Sequence, residues 1–69
     1  MALAKDAQAT RDRLVAAARA AFSRQGFERT TVREIAAAAG VNPALINRYF
    51  GGKERLFAEA VAIEIDFPD

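Results

Sequence analysis

Ten lysines and arginines, nine aspartates and glutamates, and neither cysteine nor histidine set the chemistry open to this 69-residue chain. Without cysteine or histidine there is no disulfide, no thiolate nucleophile and no Ser-His or Cys-His pair, and the usual zinc and copper ligands are missing. Carboxylates remain at Glu28, Glu34, Glu54 and Glu59, but a helix surface or a helix cap accounts for each. No glycine-rich phosphate loop is present, and Gly51-Gly52 reads as a helix boundary. The chain is therefore read as no enzyme, with no metal and no cofactor implied.

The cations are the more informative set. All ten (Lys5, Arg11, Arg13, Arg19, Arg24, Arg29, Arg33, Arg48, Lys53 and Arg55) lie in the first 55 residues, beside only five acids. Residues 56–69 carry four acids and no base. A basic body followed by an acidic end suits a polyanionic partner for the body, although a solvated surface can show the same excess. No apolar run approaches the ~18–20 residues of a membrane span. The opening Met1-Ala2-Leu3-Ala4-Lys5-Asp6 lacks the basic start and long apolar stretch of a signal peptide. A cytoplasmic location is expected.

Such residues act only where a fold holds them, and 69 residues make one small domain with a marginal core. At 52% hydrophobic and 28% charged, the composition is that of a folding chain. Residues 1–9 lack a sustained apolar stripe and read as a flexible N-terminal arm, with Thr10 able to cap a first helix. Leu14, Val15, Ala18, Ala21 and Phe22 recur at helical spacing. Gly26 is placed to end that helix, with Phe27 folding back on Phe22. Thr31-Val32-Arg33-Glu34 fits a reciprocal capping box at the start of a second helix, whose inner face is Val32, Ile35, Ala36 and Ala39.

Gly40 ends helix 2, and only Gly40-Val41-Asn42 separates it from helix 3, with Asn42 as cap and Pro43 as first helical residue. Leu45 or Ile46, Tyr49 and Phe50 are its possible anchors. Helix 4 starts at Lys53, with Leu56, Phe57, Ala60 and Val61 inward. Beyond Val61 the residues alternate as in a strand, but the helical run-up favours helix to about Ile65. Ile63, Ile65 and Phe67 would then sit partly exposed, a surface suited to a partner or a further domain. The expected fold is all-α: a small homeodomain-like bundle of four helices. Its helices 2 and 3, with small Ala36, turn-forming Gly40 and the locking residues Ile35, Val41 and Ile46, make a DNA-binding helix-turn-helix. An ordinary helical hairpin has the same connectivity.

Three stretches carry a more specific pattern: Gly26 to Ala36, Ala39-Gly40-Val41, and Ile46 to Phe57 with its Tyr49-Phe50 and Lys53. Over roughly residues 10–62 the chain resembles the N-terminal domain of tetracycline-repressor (TetR)-type transcriptional regulators. The resemblance implies a helix-turn-helix DNA-binding domain over 10–57. Residues 58–69 would complete helix 4 and lead to a C-terminal domain, outside this sequence, for dimerisation and effector binding. It implies a bacterial homodimer on palindromic double-stranded operator DNA. Repression would be relieved by a small-molecule effector. The 69 residues alone are expected to be monomeric or weakly dimeric.

Matched residue by residue, the resemblance assigns Thr31 to a phosphate, through its hydroxyl and the helix amides, with Thr30 assisting. Arg33 reads a guanine edge, clamps a phosphate, or pairs with Glu34 or Glu28. Pro43, Ala44 and Leu45 open helix 3 and can touch thymine methyls only, unless Leu45 is core. Asn47 is suited to adenine and Arg48 to guanine or phosphate. Asn47 stands where the family usually has Tyr, which leaves that tyrosine's contact without a counterpart. Tyr49 touches backbone phosphate or packs half-buried, and Lys53 clamps a phosphate. Lys5, Arg11 and Arg13 add at most nonspecific attraction. A competing reading is a small protein-interaction module that uses Ile63, Ile65 and Phe67.

Overall fold

The computed structural model describes residues 2–65, and side chains over residues 7–62. Four helices follow in order: α1 (Ala2–Gln25), α2 (Val32–Ala39), α3 (Ala44–Phe50) and α4 (Lys53–Ile65). The all-α expectation holds, and α4 continues as helix to Ile65. The expected exposure of Ile63, Ile65 and Phe67 falls outside the described side chains.

The first helix departs from expectation at its start. It begins at Ala2, so Thr10 lies inside it and caps nothing, and residues 2–9 are helical. Alanine and leucine at 2, 3, 4, 7 and 9 have the highest helix propensities. Gln8 Nε2 also donates to Asp12 Oδ1 at 3.0 Å, one turn along. Local propensity carries the helix on where the apolar stripe has stopped.

Helix α1 is the platform: α2 and α4 pack against it, and α3 packs chiefly on α4. Each helix supplies one large, fully buried aliphatic side chain, Leu14, Ile35, Ile46 and Leu56 in turn. Val15, Ala18, Ala21, Phe22, Ala36, Ala39, Phe50 and Ala60 complete the core. The periodicity of α1 had marked Leu14, Val15, Ala18, Ala21 and Phe22, and all five are buried.

Gly26, at φ 88°, gives its amide to Phe22 O at 2.8 Å and turns the chain so that Phe27 stacks on Phe22, centroids 5.7 Å apart. Phe57 of α4 meets both rings edge-on at 5.0 Å. This aromatic triangle fixes the α1–α2 loop to α4 near its start, with each pair adding on the order of 1 kcal/mol beyond burial.

Candidate nucleic-acid interface

Thr31 has extended backbone, φ −111° and ψ 155°, and its Oγ1 accepts the Glu34 amide at 3.1 Å. That is half of the expected capping box. The Glu34 carboxylate instead accepts from Gln25 Nε2 at 2.9 Å. The last residue of α1 thereby draws this negative charge toward itself.

The next boundary is the turn of the helix-turn-helix. Gly40 adopts φ 76° and ψ 32°. Its amide bonds to Ala37 O at 3.1 Å and the Val41 amide to Ala36 O at 2.9 Å, the paired bonds of a Schellman ending. Two residues on, Asn42 Oδ1 accepts the Ala44 amide at 2.8 Å, bracing the start of α3, although the cap position itself falls to Pro43 and not to Asn42 as expected. Pro43 has helical dihedrals, φ −56° and ψ −27°, and stands just before the first residue of α3. The connection is thus one residue longer than expected.

Seven residues are too few for an isolated helix. Packing therefore decides which way α3 faces. Ile46 and Phe50 are buried, which settles the anchor in favour of Ile46 over Leu45. At about 100° per residue, Ala44 and Arg48 fall opposite those anchors, with Asn47 to one side; these three, and Pro43 just before the helix, are exposed. Leu45 and Tyr49 lie to the other side, half-buried. The outward face thus opens with two apolar residues and continues into an amide and a guanidinium.

On α2, Thr31 and Arg33 are exposed. Lys53, at the first position of α4, is half-buried, its Nζ 4.3 Å from the centre of the Phe27 ring. A cation over an aromatic face is held in place while one side stays open to water. This contact joins the start of α4 to the α1–α2 loop, four residues before Thr31.

Thr30 requires a correction. It is fully buried, and its hydroxyl points at Gly26 O (2.8 Å) and Ala21 O (3.2 Å). One carbonyl belongs to the last turns of α1 and the other to the Gly26 turn that follows it, so Thr30 fastens the α1–α2 loop to that helix end and has no surface to offer a ligand. Neighbouring hydroxyls with the same local sequence signal have opposite environments.

Arg11 requires another. In place of a solvated cation, it donates from Nη1 to the Tyr49 carbonyl at 3.0 Å, lies 4.7 Å over the Phe50 ring and pairs with Glu59 at 3.6 Å. Nothing local in the sequence announces a contact across 38 residues.

Among the described residues no cluster of Asp, Glu, His or Cys could hold a metal ion, and no helix is long and apolar enough to cross a membrane. The arrangement has hydrogen-bond donors and cations on short, well-capped helices, and two apolar side chains at the head of one of them. That is equipment for contacting a polyanion that carries both phosphates and base edges.

Comparison with known proteins points the same way. Residues 14–60 match the pattern of "Bacterial regulatory proteins, tetR family". The HTH-type transcriptional repressor SCO4008 of Streptomyces coelicolor is 41% identical over 58 residues, 84% of this chain and 30% of its own. The HTH-type transcriptional repressor NicS of Pseudomonas putida is 41% identical over 54 residues, 78% of this chain and 26% of its own. The HTH-type transcriptional dual regulator CecR of Shigella flexneri is 50% identical over 54 residues, 78% of this chain and 24% of its own. The chain thus spans less than a third of the length of these relatives. No solved structure matches it.

Proposed function

The chain belongs to the tetR family of bacterial regulatory proteins and forms a DNA-binding domain of a transcription regulator, and from that premise we propose how it meets DNA. Helix α3 enters the major groove with its exposed arc against the base edges. Pro43, Ala44 and Leu45 meet thymine methyls, Asn47 reads adenine, and Arg48 reads guanine or grips a phosphate. Arg33, on the exposed side of α2, adds a second guanidinium, worth ~1–3 kcal/mol of discrimination if it pairs with a guanine edge.

Thr31, Tyr49 and Lys53 hold the backbone. The Thr31 oxygen already accepts the Glu34 amide, which leaves its hydroxyl hydrogen to donate to a phosphate. The Gln25 bond draws the Glu34 carboxylate toward α1, lessening the repulsion such a phosphate would meet. These contacts orient α3 without reading sequence.

In the cell we place the domain in a cytoplasmic homodimer on a palindromic operator. Repression would be relieved when a further domain binds a small-molecule effector. The names of two relatives as repressors support repression as the default. The observation that carries the reading is the exposed side of α3: Ile46 and Phe50 are buried, while Ala44 and Arg48 opposite them, Asn47 beside them and Pro43 just ahead of the helix are all exposed. No described side chain supports the protein-interaction reading built on Ile63, Ile65 and Phe67.

The test is fluorescence anisotropy of the chain with duplex DNA across a salt series, beside the combined variant Arg33→Ala, Tyr49→Phe, Lys53→Ala. Log affinity should fall with log salt at about −0.9 per phosphate neutralised, giving a slope near −3 that becomes shallower in the variant. Equal slopes and affinities in the two proteins, both folded by circular dichroism, would remove these residues from the interface.

A further inference from the structure

Helix α3 has a second dependency besides its buried anchors. Of its last four carbonyls, which have no partner further along the helix, that of Asn47 accepts the Gly51 amide. The Tyr49 carbonyl is met from outside, by Arg11 Nη1 at 3.0 Å. The same guanidinium lies over the ring of Phe50, the last residue of α3. Its other terminal nitrogen reaches Glu59 of α4. One side chain of α1 thereby grips the end of α3 and is itself steered by α4. A cation is also the charge that a helix C-terminus favours.

We propose that Arg11 is a positioning residue for DNA reading. It holds the C-terminal end of α3 at a fixed attitude, and so sets the direction in which Asn47 and Arg48 are presented. Glu59 orients the guanidinium fork, engaging one nitrogen so that the other faces Tyr49 O. This rests on the reading of α3 as the helix that enters the groove. Arginine is specific to the task, because a planar fork serves two acceptors and a ring together and a lysine ammonium does not.

The sign of one substitution separates positioning from plain attraction. Glu59→Gln makes the chain more positive, so electrostatics alone tightens its binding to a polyanion. If Glu59 orients Arg11, the same change weakens binding. The experiment compares the unaltered 69-residue chain with Arg11→Lys and Glu59→Gln, each shown to be folded by circular dichroism. Amide hydrogen exchange is followed along α2 and α3, and affinity for one mixed-sequence duplex is measured at a fixed low salt concentration.

Both variants should bind roughly three- to fivefold more weakly. Exchange should quicken at residues 47–51 and stay unchanged in α2. Weaker binding without faster exchange at α3, or faster exchange without weaker binding, overturns the proposal. So does equal or tighter binding by Glu59→Gln. If Arg11→Lys does not fold, Glu59→Gln decides alone, since it leaves the arginine in place. Should the unaltered chain itself not bind DNA, the DNA reading fails and the proposal falls with it, an outcome visible before any variant is compared.

Discussion

Thr30 and Thr31 are adjacent and chemically identical, and the fold gives them separate work. Thr30 is sealed inside with its hydroxyl on the carbonyls of Ala21 and Gly26, whereas Thr31 is exposed and caps α2. Thr30→Val keeps the shape and removes the donor. It should cost about 1–3 kcal/mol, because the buried carbonyls lose their partner. DNA affinity measured well below the melting transition should stay unchanged. Thr31→Ala should cost about 1 kcal/mol of stability through the lost cap and should also weaken DNA binding. Thermal melting followed by circular dichroism, paired with anisotropy, separates the two outcomes. The sequence shows two threonines ahead of a helix and marks which of them caps. It does not show that the other turns inward, because that depends on where the end of α1 lies in space.

At the scale of elements, most boundaries are legible to within a residue, whereas the start of α1 and the long-range fastenings are not. Gly26, Thr31, Gly40, Asn42 and Gly51 act through bonds spanning two to five residues, so residue type and spacing are enough to locate them. The start of α1 is not legible, because the absence of an apolar stripe says only that no core faces those turns. An alanine-rich segment needs no core contact to continue a helix already nucleated. The role of Arg11 is illegible for the opposite reason, since its partners come from α3 and α4. The turn itself offers a clean test. A Cβ at Gly40 would meet nothing within 4 Å, so any cost of Gly40→Ala comes from the left-handed backbone alone. About 1–2 kcal/mol is expected, a fall in melting temperature of roughly 4–8 °C per kcal/mol in a domain this small. Gly40→Asn should lose less, because asparagine enters that region more readily.

At the scale of the whole molecule, four large, fully buried aliphatic side chains, one from each helix, meet in a core with little redundancy. Total stability of roughly 0.05–0.15 kcal/mol per residue leaves only ~3–10 kcal/mol for a chain of this length. Leu56→Ala should cost about 2–5 kcal/mol and leave much of the population unfolded at 37 °C, read as a melting transition shifted to or below that temperature. Ligand binding offsets such losses by mass action, so saturating duplex DNA should raise the melting temperature of the unaltered chain. A single domain makes few contacts, and its affinity is expected nearer the ~10⁻⁴–10⁻⁶ M nonspecific range. Joining two copies by a linker that spans adjacent half-sites should raise affinity by about 10²–10⁴ without any new contact.

Tyr49 is the only tyrosine in a chain without tryptophan, and it flanks the outward face of α3 with its carbonyl tied to Arg11. Ultraviolet emission from this protein therefore arises almost wholly from one ring at the edge of the proposed contact surface. The domain carries a built-in optical reporter, so docking and melting of α3 can be followed without attaching a dye.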